Sequence, residues 1–295
     1  MMDNRFKGTG VALVTPFHKQ GTIDFNSLEK LVEHAITNDV NYLVVMGTTG
    51  ESATLSKEEK HALMQFVVET TNKRVPIVMG IGGNNTQEVI NNLRINCLEG
   101  VDAILSVAPY YNKPQQKGLY LHFKHIAAAS PLPIILYNVP GRTAVNIKAE
   151  TTLTLASEFS NIIGIKEASG NLEQMMELLR LRSKDFLVIS GDDMLTLPLL
   201  ALGADGVISV TANAFPKEFS EMVQFGLKGD FKKSREIHFR LFELMTTLFA
   251  EGNPSGIKAA LEILGLISNN LRLPLVKVEK NIYNQLNLLI QEHQK

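Results

Sequence analysis

The chain has 295 residues, of which 45% are hydrophobic and 20% are charged, and its formal net charge is −1. This composition is that of a globular protein with ample apolar material for a core, and it argues against a disordered chain. The basic residues are scattered along the sequence rather than grouped, so the charge pattern gives no indication of a nucleic acid partner.

The single cysteine and the N-terminal residues indicate where the protein is expected to work. Cys97 has no second cysteine with which to form an internal disulfide or a cysteine metal cluster, which fits a reducing compartment. Residues 1–7 carry charge, but Gly8, Thr9 and Gly10 follow where a signal peptide would have an apolar segment. No run approaches the ~20 apolar residues of a membrane span, so we expect a cytoplasmic protein that binds no membrane.

Short apolar runs, rich in β-branched residues, recur along the sequence and are predicted as strands. Consecutive runs begin between 20 and 34 residues apart, which is about the size of one βα unit. Nearly continuous apolar runs are typical of parallel strands that are covered on both faces. The predicted strands are residues 11–15, 42–46, 76–80, 103–107, 133–137, 162–166, 186–190 and 206–210.

The segments between these strands have the apolar periodicity and the polar capping residues of helices. The second of them also has a glutamate at the third helical position, as in a capping box. We predict helices 28–36 capped by Ser27, 57–70 capped by Ser56 with Glu59, and 86–98 begun by Asn84.

Strands that alternate with helices favour a parallel sheet, and eight such units favour closure into a barrel. An open doubly wound sheet would often carry a Gly-rich dinucleotide turn after its first strand, and no such turn follows residues 11–15. We therefore predict an α/β fold, a (β/α)8 TIM barrel over residues 1–225. Residues 226–295 are predicted as a C-terminal helical extension packed on the barrel.

Lys166 ends the sixth predicted strand, and the C-terminal ends of the strands are where barrel enzymes place their chemistry. Alternation along the strand puts Lys166 and Gly164 on one face and Ile163 and Ile165 on the other. If the isoleucines pack on helices, the lysine points into the barrel, where removal from water favours the neutral amine that attacks a carbonyl. A solvated lysine or an ion pair with Glu167 is the structural alternative.

Other polar residues also follow strand ends, and each has a structural alternative. Tyr137 ends the preceding strand and suits proton transfer, although core tyrosines are more common. Thr48 and Thr49 lie in a turn whose hydroxyls and N–H groups suit a carboxylate, although the turn also leads into a helix. Arg142 suits a second carboxylate, although loop arginines are more often solvated.

Two further observations bear on metal binding. Asp192 and Asp193 follow the seventh strand, where we expect them to cap a helix rather than to bind a cation. The histidines show no metal-ligand spacing tied to the strand ends, so no metal is predicted.

Taken together, these residues resemble the pyruvate-dependent class I aldolase family that contains dihydrodipicolinate synthase and N-acetylneuraminate lyase, and the synthase branch most closely. The resemblance covers nearly the whole chain, from residues 10–17 to residues 272–275. The more usual form of the motif at residues 253–258 has two prolines, whereas this chain has only Pro254. The motifs that carry the resemblance are residues 47–52, 109–114, 137–143, 164–167 and 206–213.

The resemblance implies an enzyme that condenses pyruvate with L-aspartate-4-semialdehyde to 4-hydroxy-tetrahydrodipicolinate, the committed step of diaminopimelate and lysine biosynthesis. It implies a covalent imine of pyruvate with a lysine and no cofactor, in a homotetramer built as a dimer of dimers. It further implies that Lys166 forms the imine and that Thr49 with Thr48 binds the pyruvate carboxylate. Thr48, Tyr137 and a neighbouring subunit's Tyr111 would form a proton relay. Gly191 and Ile208 would contribute backbone contacts, and Arg142 would bind the carboxylate of the aldehyde.

The resemblance also implies an allosteric lysine site at a subunit interface. In this chain Lys57 and Lys60 stand where lysine-sensitive bacterial enzymes have histidines, and two ammonium groups would repel the cationic end of the ligand. We therefore predict weak or absent inhibition by lysine. The matching positions are Ser52, Ala53, Lys57, Lys60, Asn84, Glu88 and Tyr110.

Two other functions stay open. A related aldolase would cleave a 2-keto-3-deoxy sugar acid or N-acetylneuraminate to pyruvate, but the synthases carry Arg142 where sialic acid lyases usually lack an arginine. A non-catalytic barrel that binds a metabolite belongs to a different class, since fold alone does not fix function. The complete set of Thr48, Tyr111, Tyr137 and Lys166 argues against it.

Overall fold

Eight parallel strands form a closed barrel in the computed structural model, which describes residues 4–95 and 98–294. Each strand pairs with the next in sequence, and the last pairs with the first. The predicted α/β barrel is therefore confirmed. The strands are β1 Gly8–Ala12, β2 Tyr42–Val45, β3 Ile77–Gly80, β4 Ala103–Val107, β5 Ile134–Asn138, β6 Ile162–Glu167, β7 Leu187–Ser190 and β8 Gly206–Ser209.

Helices surround the barrel and continue beyond the last strand. The C-terminal extension consists of α10 (Phe231–Phe249), α11 (Ser255–Ile263) and α12 (Lys280–His293), which contact one another. The predicted boundary at residue 225 falls in the last turn of the preceding helix, α9 (Pro216–Leu227). The helices are α1 Phe25–Thr37, α2 Lys57–Thr71, α3 Thr86–Ile95, α4 Gln116–Ala129, α5 Pro140–Thr143, α6 Ala149–Glu158, α7 Leu172–Leu181, α8 Thr196–Ala201, α9 Pro216–Leu227, α10 Phe231–Phe249, α11 Ser255–Ile263 and α12 Lys280–His293.

The first strand begins three residues earlier than predicted. β1 includes Gly8 and Gly10, which are poor strand formers, and it ends at Ala12 rather than at Thr15. The barrel requires the glycine at position 10, because a Cβ there would lie 2.2 Å from a ring carbon of Tyr42. The prediction of 11–15 was wrong because the apolar run continues past the ladder into a buried loop, where the Val14 N–H donates to Asn213 (3.2 Å).

The predicted capping box of α2 is confirmed. The Ser56 hydroxyl accepts a hydrogen bond from the Glu59 N–H (3.2 Å), and the Glu59 carboxylate accepts one from the Ser56 N–H (2.9 Å). The Ser27 cap was wrong, because α1 begins at Phe25 and Asp24 is its cap. Asp24 accepts from the N–H of Ser27 (3.1 Å), so an acidic side chain performs the capping one turn earlier.

The start of α3 also differs from the prediction. Asn85, rather than Asn84, accepts hydrogen bonds from the N–H groups of Gln87 (3.1 Å) and Glu88 (3.3 Å). The Asn84 amide donates instead to the carbonyl of Tyr110 (3.2 Å). The described helix ends at Ile95, and Cys97, in the predicted last turn, lies outside the described residues.

Two apolar layers hold the barrel together. The outer layer lies between strands and helices, and the inner layer fills the barrel. Phe6 and Tyr42 pack edge to face in the inner layer, with ring centroids 5.7 Å apart. Packed side chains thus fill the barrel interior beneath the polar residues at the strand ends. No helix among the described residues is long and apolar enough to span a bilayer.

Candidate active site

A cavity of about 390 Å³ opens at the C-terminal ends of the strands. Its walls come from several different strands and from the C-terminal extension, which is the usual position of a barrel active site. Six of the predicted catalytic and substrate-binding residues line it, namely Thr48, Thr49, Tyr137, Arg142, Lys166 and Gly191.

Lys166 points into this cavity from the end of β6. Its side chain is buried, with 6% of its surface exposed, and its Nζ lies 4.5 Å from the centre of the Tyr137 ring. Tyr137 and Lys166 are register partners on adjacent strands, which explains their proximity. Lys166 forms no salt bridge with any residue in the described ranges. The alternative interpretation, in which Lys166 is exposed to solvent, is therefore wrong.

Glu167 points away from the cavity and does not pair with the lysine. Its buried carboxylate accepts hydrogen bonds from the amides of Asn138 (3.0 Å) and Gln174 (2.9 Å) and from the N–H of Ser169 (2.8 Å). Burial raises the pKa of Glu167, while these hydrogen bonds oppose the rise. The predicted alternative of a Lys166–Glu167 ion pair is thereby excluded.

The prediction that Ile163 and Ile165 share one face of β6 was wrong. Ile165 packs in the outer layer as predicted, but Ile163 packs against the inner layer. The register between β5 and β6 shifts at this point, because Ile134 pairs with Ile162 and Ile135 pairs with Gly164. This irregularity inserts one residue and reverses the alternation before Gly164, while Lys166 keeps its inward direction.

Gly191 makes room for the Lys166 side chain. A Cβ at this position would lie 3.0 Å from Lys166 Cε and 2.7 Å from the Cβ of Ala168. Any larger residue would therefore press on the Lys166 side chain. The family resemblance implied a backbone contact from Gly191. The structure adds a steric reason for a glycine at this position.

The threonine turn, residues 47–51, lies at the end of β2. Its N–H groups at Gly50 and Glu51 donate to the carbonyls of Gly47 (3.2 Å) and Thr48 (3.1 Å). Thr15, which the sequence placed at a strand end, lies in the following loop and donates its hydroxyl to the Gly50 carbonyl (2.7 Å). The turn is thus held in one conformation with two threonines at the cavity wall.

Asn253 is a site residue that the sequence reasoning missed. It is buried in the cavity wall, and its amide donates to the Thr49 hydroxyl (2.9 Å). Its main-chain carbonyl accepts a hydrogen bond from the Arg142 guanidinium (3.3 Å). Asn253 therefore connects two residues that the sequence assigned to two different substrate carboxylates. The only local signal was its position at the start of the 253–258 motif.

Two predicted site residues do not line the cavity. Tyr111 has 88% of its surface exposed and a positive φ of 75°, in a tight turn where the Asn112 N–H donates to the Tyr110 carbonyl (2.9 Å). Ile208 is buried in the inner layer of the barrel, beneath the cavity. The single chain therefore brings together Thr48, Tyr137 and Lys166 but leaves Tyr111 outside.

The two adjacent aspartates stabilise backbone turns. Asp192 accepts from the N–H groups of Met194 (2.9 Å) and Leu195 (3.3 Å), just before α8. Asp193 is buried and accepts from the N–H (2.8 Å) and hydroxyl (2.6 Å) of Thr211. The helix-capping role predicted for this pair was wrong, because the N-cap of α8 is Leu195 and has no side-chain cap, and both carboxylates accept from N–H groups that precede α8 or lie in the turn after β8. No group of three His, Cys, Asp or Glu side chains suited to a metal occurs within residues 4–95 and 98–294.

The positions of the implied lysine site lie on the segments after β2, β3 and β4. Asn84 and Tyr110 are in contact through the hydrogen bond described above. Lys57 lies in the first turn of α2, where it is exposed, and Lys60 is partly buried. Ser52 and Ala53 form part of a short 3-10 turn, and Glu88 is exposed in the first turn of α3.

Comparison with known proteins decides the family. The matching family model is that of the dihydrodipicolinate synthetase family, and it covers residues 5–293. The chain belongs to this family. The predicted resemblance is thus confirmed, and with it the prediction that the chain is a lyase of the 4-hydroxy-tetrahydrodipicolinate synthase type.

Relatives match along nearly the full length of the chain. A 4-hydroxy-tetrahydrodipicolinate synthase from Parabacteroides distasonis is 51% identical over 292 residues, which cover 99% of this chain and 98% of the relative. A solved chloride-inhibited dihydrodipicolinate synthase from Acinetobacter baumannii, complexed with pyruvate, is 43% identical with a TM-score of 0.95 and coverage of 98% and 99%. A solved monomeric dihydrodipicolinate synthase variant is 41% identical with a TM-score of 0.96 and coverage of 98% and 97%.

Proposed function

We propose that this chain condenses pyruvate with L-aspartate-4-semialdehyde to give 4-hydroxy-tetrahydrodipicolinate. The observation that carries the proposal is the buried amine of Lys166, which lies against Tyr137 in a cavity that also contains the threonine turn and Arg142. These residues offer one nucleophile, one phenol and two sites for carboxylates. The family supports the same activity.

The reaction begins when Lys166 Nζ, as a neutral amine, attacks the keto carbon of pyruvate. Loss of water from the adduct forms an imine, and loss of a methyl proton converts the imine to an enamine. The enamine carbon attacks the aldehyde carbon of the semialdehyde and forms the new carbon–carbon bond. The amino group of the second substrate then attacks the imine carbon, closes the ring and expels Lys166. The imine nitrogen is the electron sink, so this scheme requires neither a metal nor an organic cofactor.

The threonine turn supports the first step by holding the pyruvate carboxylate. Thr49 is buried, and its hydroxyl oxygen already accepts a hydrogen bond from Asn253, which leaves the hydroxyl proton to donate to a substrate oxygen. Thr48 lines the same cavity and passes protons to and from Tyr137. Gly191 contributes a backbone contact at the cavity wall, and Ile208 contributes one from beneath it.

Tyr111 completes the relay from a second copy of the chain. Its side chain is exposed and lies outside the cavity of its own subunit, which fits a residue that serves a neighbour. The active form is then at least a dimer, and we propose a homotetramer built as a dimer of dimers. One of the similar solved structures is a monomeric variant, so the oligomeric state of this chain is to be measured in solution.

Arg142 is proposed to bind the carboxylate of the semialdehyde. Replacing Arg142 with Ala removes a charge-assisted hydrogen bond, so kcat/KM for the semialdehyde is expected to fall about 10–100-fold. Steady-state assays with each substrate varied in turn measure this loss. Binding of pyruvate to the variant should be unchanged, and an equal loss for both substrates would contradict the assignment. Lys148→Ala, at an exposed cation beyond the same loop, is the matched control.

We expect L-lysine to inhibit this enzyme weakly or not at all. Lys57 and Lys60 would place two further positive charges at the cationic end of the ligand. Initial rates measured over a range of lysine concentrations test this expectation, and inhibition at low micromolar lysine would contradict it. A Lys57→His, Lys60→His variant is the matched comparison and is expected to be more sensitive, since neutral imidazoles remove the repulsion.

A substrate panel separates the proposed synthase from a related aldolase. The synthase consumes pyruvate only when L-aspartate-4-semialdehyde is present. Release of pyruvate from N-acetylneuraminate or a 2-keto-3-deoxy sugar acid, without condensation of the semialdehyde, would instead establish the aldolase. The cytoplasmic location expected from the sequence stays a prediction.

A further inference from the structure

We propose that the buried ion pair between Glu51 and Lys258 positions the threonine turn for pyruvate. Glu51 is the last residue of that turn, and Lys258 lies in α11 of the C-terminal extension. Neither residue lines the cavity, so both act as positioning residues through Thr49 and Asn253. The inference rests on the proposed function, in which the turn binds the pyruvate carboxylate.

The two charged side chains are completely buried. Neither exposes any of its side-chain surface, and the Lys258 ammonium contacts one oxygen of the Glu51 carboxylate. The other carboxylate oxygen accepts a hydrogen bond from the main-chain N–H of Arg272 (3.0 Å). Lys258 also donates to the Asn270 carbonyl (2.9 Å) and lies 4.3 Å from the centre of the Phe17 ring. The pair is therefore held in a single arrangement by several elements.

Such a pair is a poor means of stabilising a fold. Taking two charges out of water costs several kcal/mol each, and replacing a buried pair by apolar residues is often neutral or stabilising. The pair instead fixes the positions of both side chains, because a buried charge is stable only next to its partner.

The ion pair contacts the turn at Glu51, and Asn253 contacts it at Thr49. Glu51 adopts a positive φ of 51°, an uncommon backbone conformation for a non-glycine residue, and its N–H donates to Thr48 (3.1 Å). The Lys258 N–H donates to the Pro254 carbonyl (3.0 Å), so the lysine lies one helical turn from Asn253. Asn253 in turn donates to the Thr49 hydroxyl. Two polar links therefore join the turn to the start of α11.

Loss of the ion pair is expected to weaken the binding of pyruvate, the first substrate. If the ion pair is removed, Glu51 loses the partner that fixes its carboxylate, and the turn gains freedom relative to Asn253. The Thr49 hydroxyl then has to be ordered when pyruvate binds, which weakens binding before the chemistry begins. The expected change is a higher KM for pyruvate with a smaller change in kcat.

The test uses two variants of the full-length protein. Glu51→Gln removes one charge, and Glu51→Gln with Lys258→Met removes both while keeping similar volume, so that no unpaired charge stays buried. The double variant decides the question if the single variant fails to fold. Glu218→Gln is the matched control, because Glu218 in α9 also ties the barrel to the extension, through Arg240 and His293, but has no contact with the threonine turn or the ion pair in the described ranges.

The measurement is the pyruvate concentration that gives half-maximal trapping of the imine by borohydride, together with KM, kcat and thermal midpoint. We expect this concentration and the KM for pyruvate to rise about tenfold in the double variant, which corresponds to about 1.4 kcal/mol. The Glu218→Gln control should keep the wild-type concentration even if its thermal midpoint falls.

Two results would overturn the inference. One is a double variant that traps pyruvate at the wild-type concentration, which would make the pair purely structural. The other is a Glu218→Gln variant that shows the same rise, which would assign the effect to general loosening of the extension. A wild-type protein that traps no pyruvate would instead contradict the proposed function itself, so the two failures are distinguishable.

Discussion

Lys166→Ala is expected to lose activity by a factor on the order of 10⁴ or more, because it removes the covalent route itself. The loss should appear in kcat at saturating concentrations of both substrates. Folding should survive, since the variant removes a buried amine that forms no salt bridge in the described ranges. Steady-state assays and a thermal melt measure the two effects separately.

Lys166→Arg is the matched comparison for this experiment. It keeps a cation near the Tyr137 ring but cannot form the imine, and it should therefore be as inactive as Lys166→Ala. Activity of either variant above about a hundredth of the wild-type rate would contradict the assignment of Lys166 as the nucleophile.

Tyr137→Phe is expected to lower kcat by about 10²–10³-fold, within the range that one acid–base group contributes. The ring stays, so its contact with Lys166 Nζ persists, and only the phenolic hydroxyl is lost. The imine should still form with pyruvate, but more slowly. Pre-steady-state trapping with borohydride and steady-state assays together measure this difference.

Tyr42→Phe is the control for the loss of a buried tyrosine hydroxyl. Tyr42 lies inside the barrel against Phe6 and does not line the cavity, and its hydroxyl donates to the Val207 carbonyl (3.3 Å). This variant should be less stable but close to wild type in kcat. Equal losses of kcat in the two variants would contradict a proton-transfer role for Tyr137.

The sequence predicts the barrel and the centre of its site because both depend on local patterns. Strand ends in a parallel barrel meet at one face, so a lysine and a tyrosine that end consecutive strands must be neighbours. The register of β5 and β6 confirms this for Tyr137 and Lys166. Periodicity and capping signals likewise placed α2 correctly through Ser56 and Glu59.

The errors arise where distant residues override local preference. Gly8 and Gly10 do not look like strand residues, and only the Tyr42 ring across the barrel explains the glycine at position 10. The irregularity at Ile163 depends on pairing with β5, which no run of apolar residues reveals.

The missed parts of the site have the same cause. Asn253 lies about 200 residues from the threonine it contacts, and no local pattern connects the two. The same holds for Glu51 and Lys258, which look like ordinary surface residues in sequence and are completely buried in the fold. Tyr111 differs, because its proposed role depends on a second subunit.

Reduction with borohydride in the presence of pyruvate, followed by peptide mapping, tests whether Lys166 is the residue that forms the imine. We expect a reduced pyruvate adduct on Lys166 that requires pyruvate and is absent from Lys166→Ala. An adduct on a different lysine, or an active enzyme that gains no adduct at saturating pyruvate, would contradict this assignment.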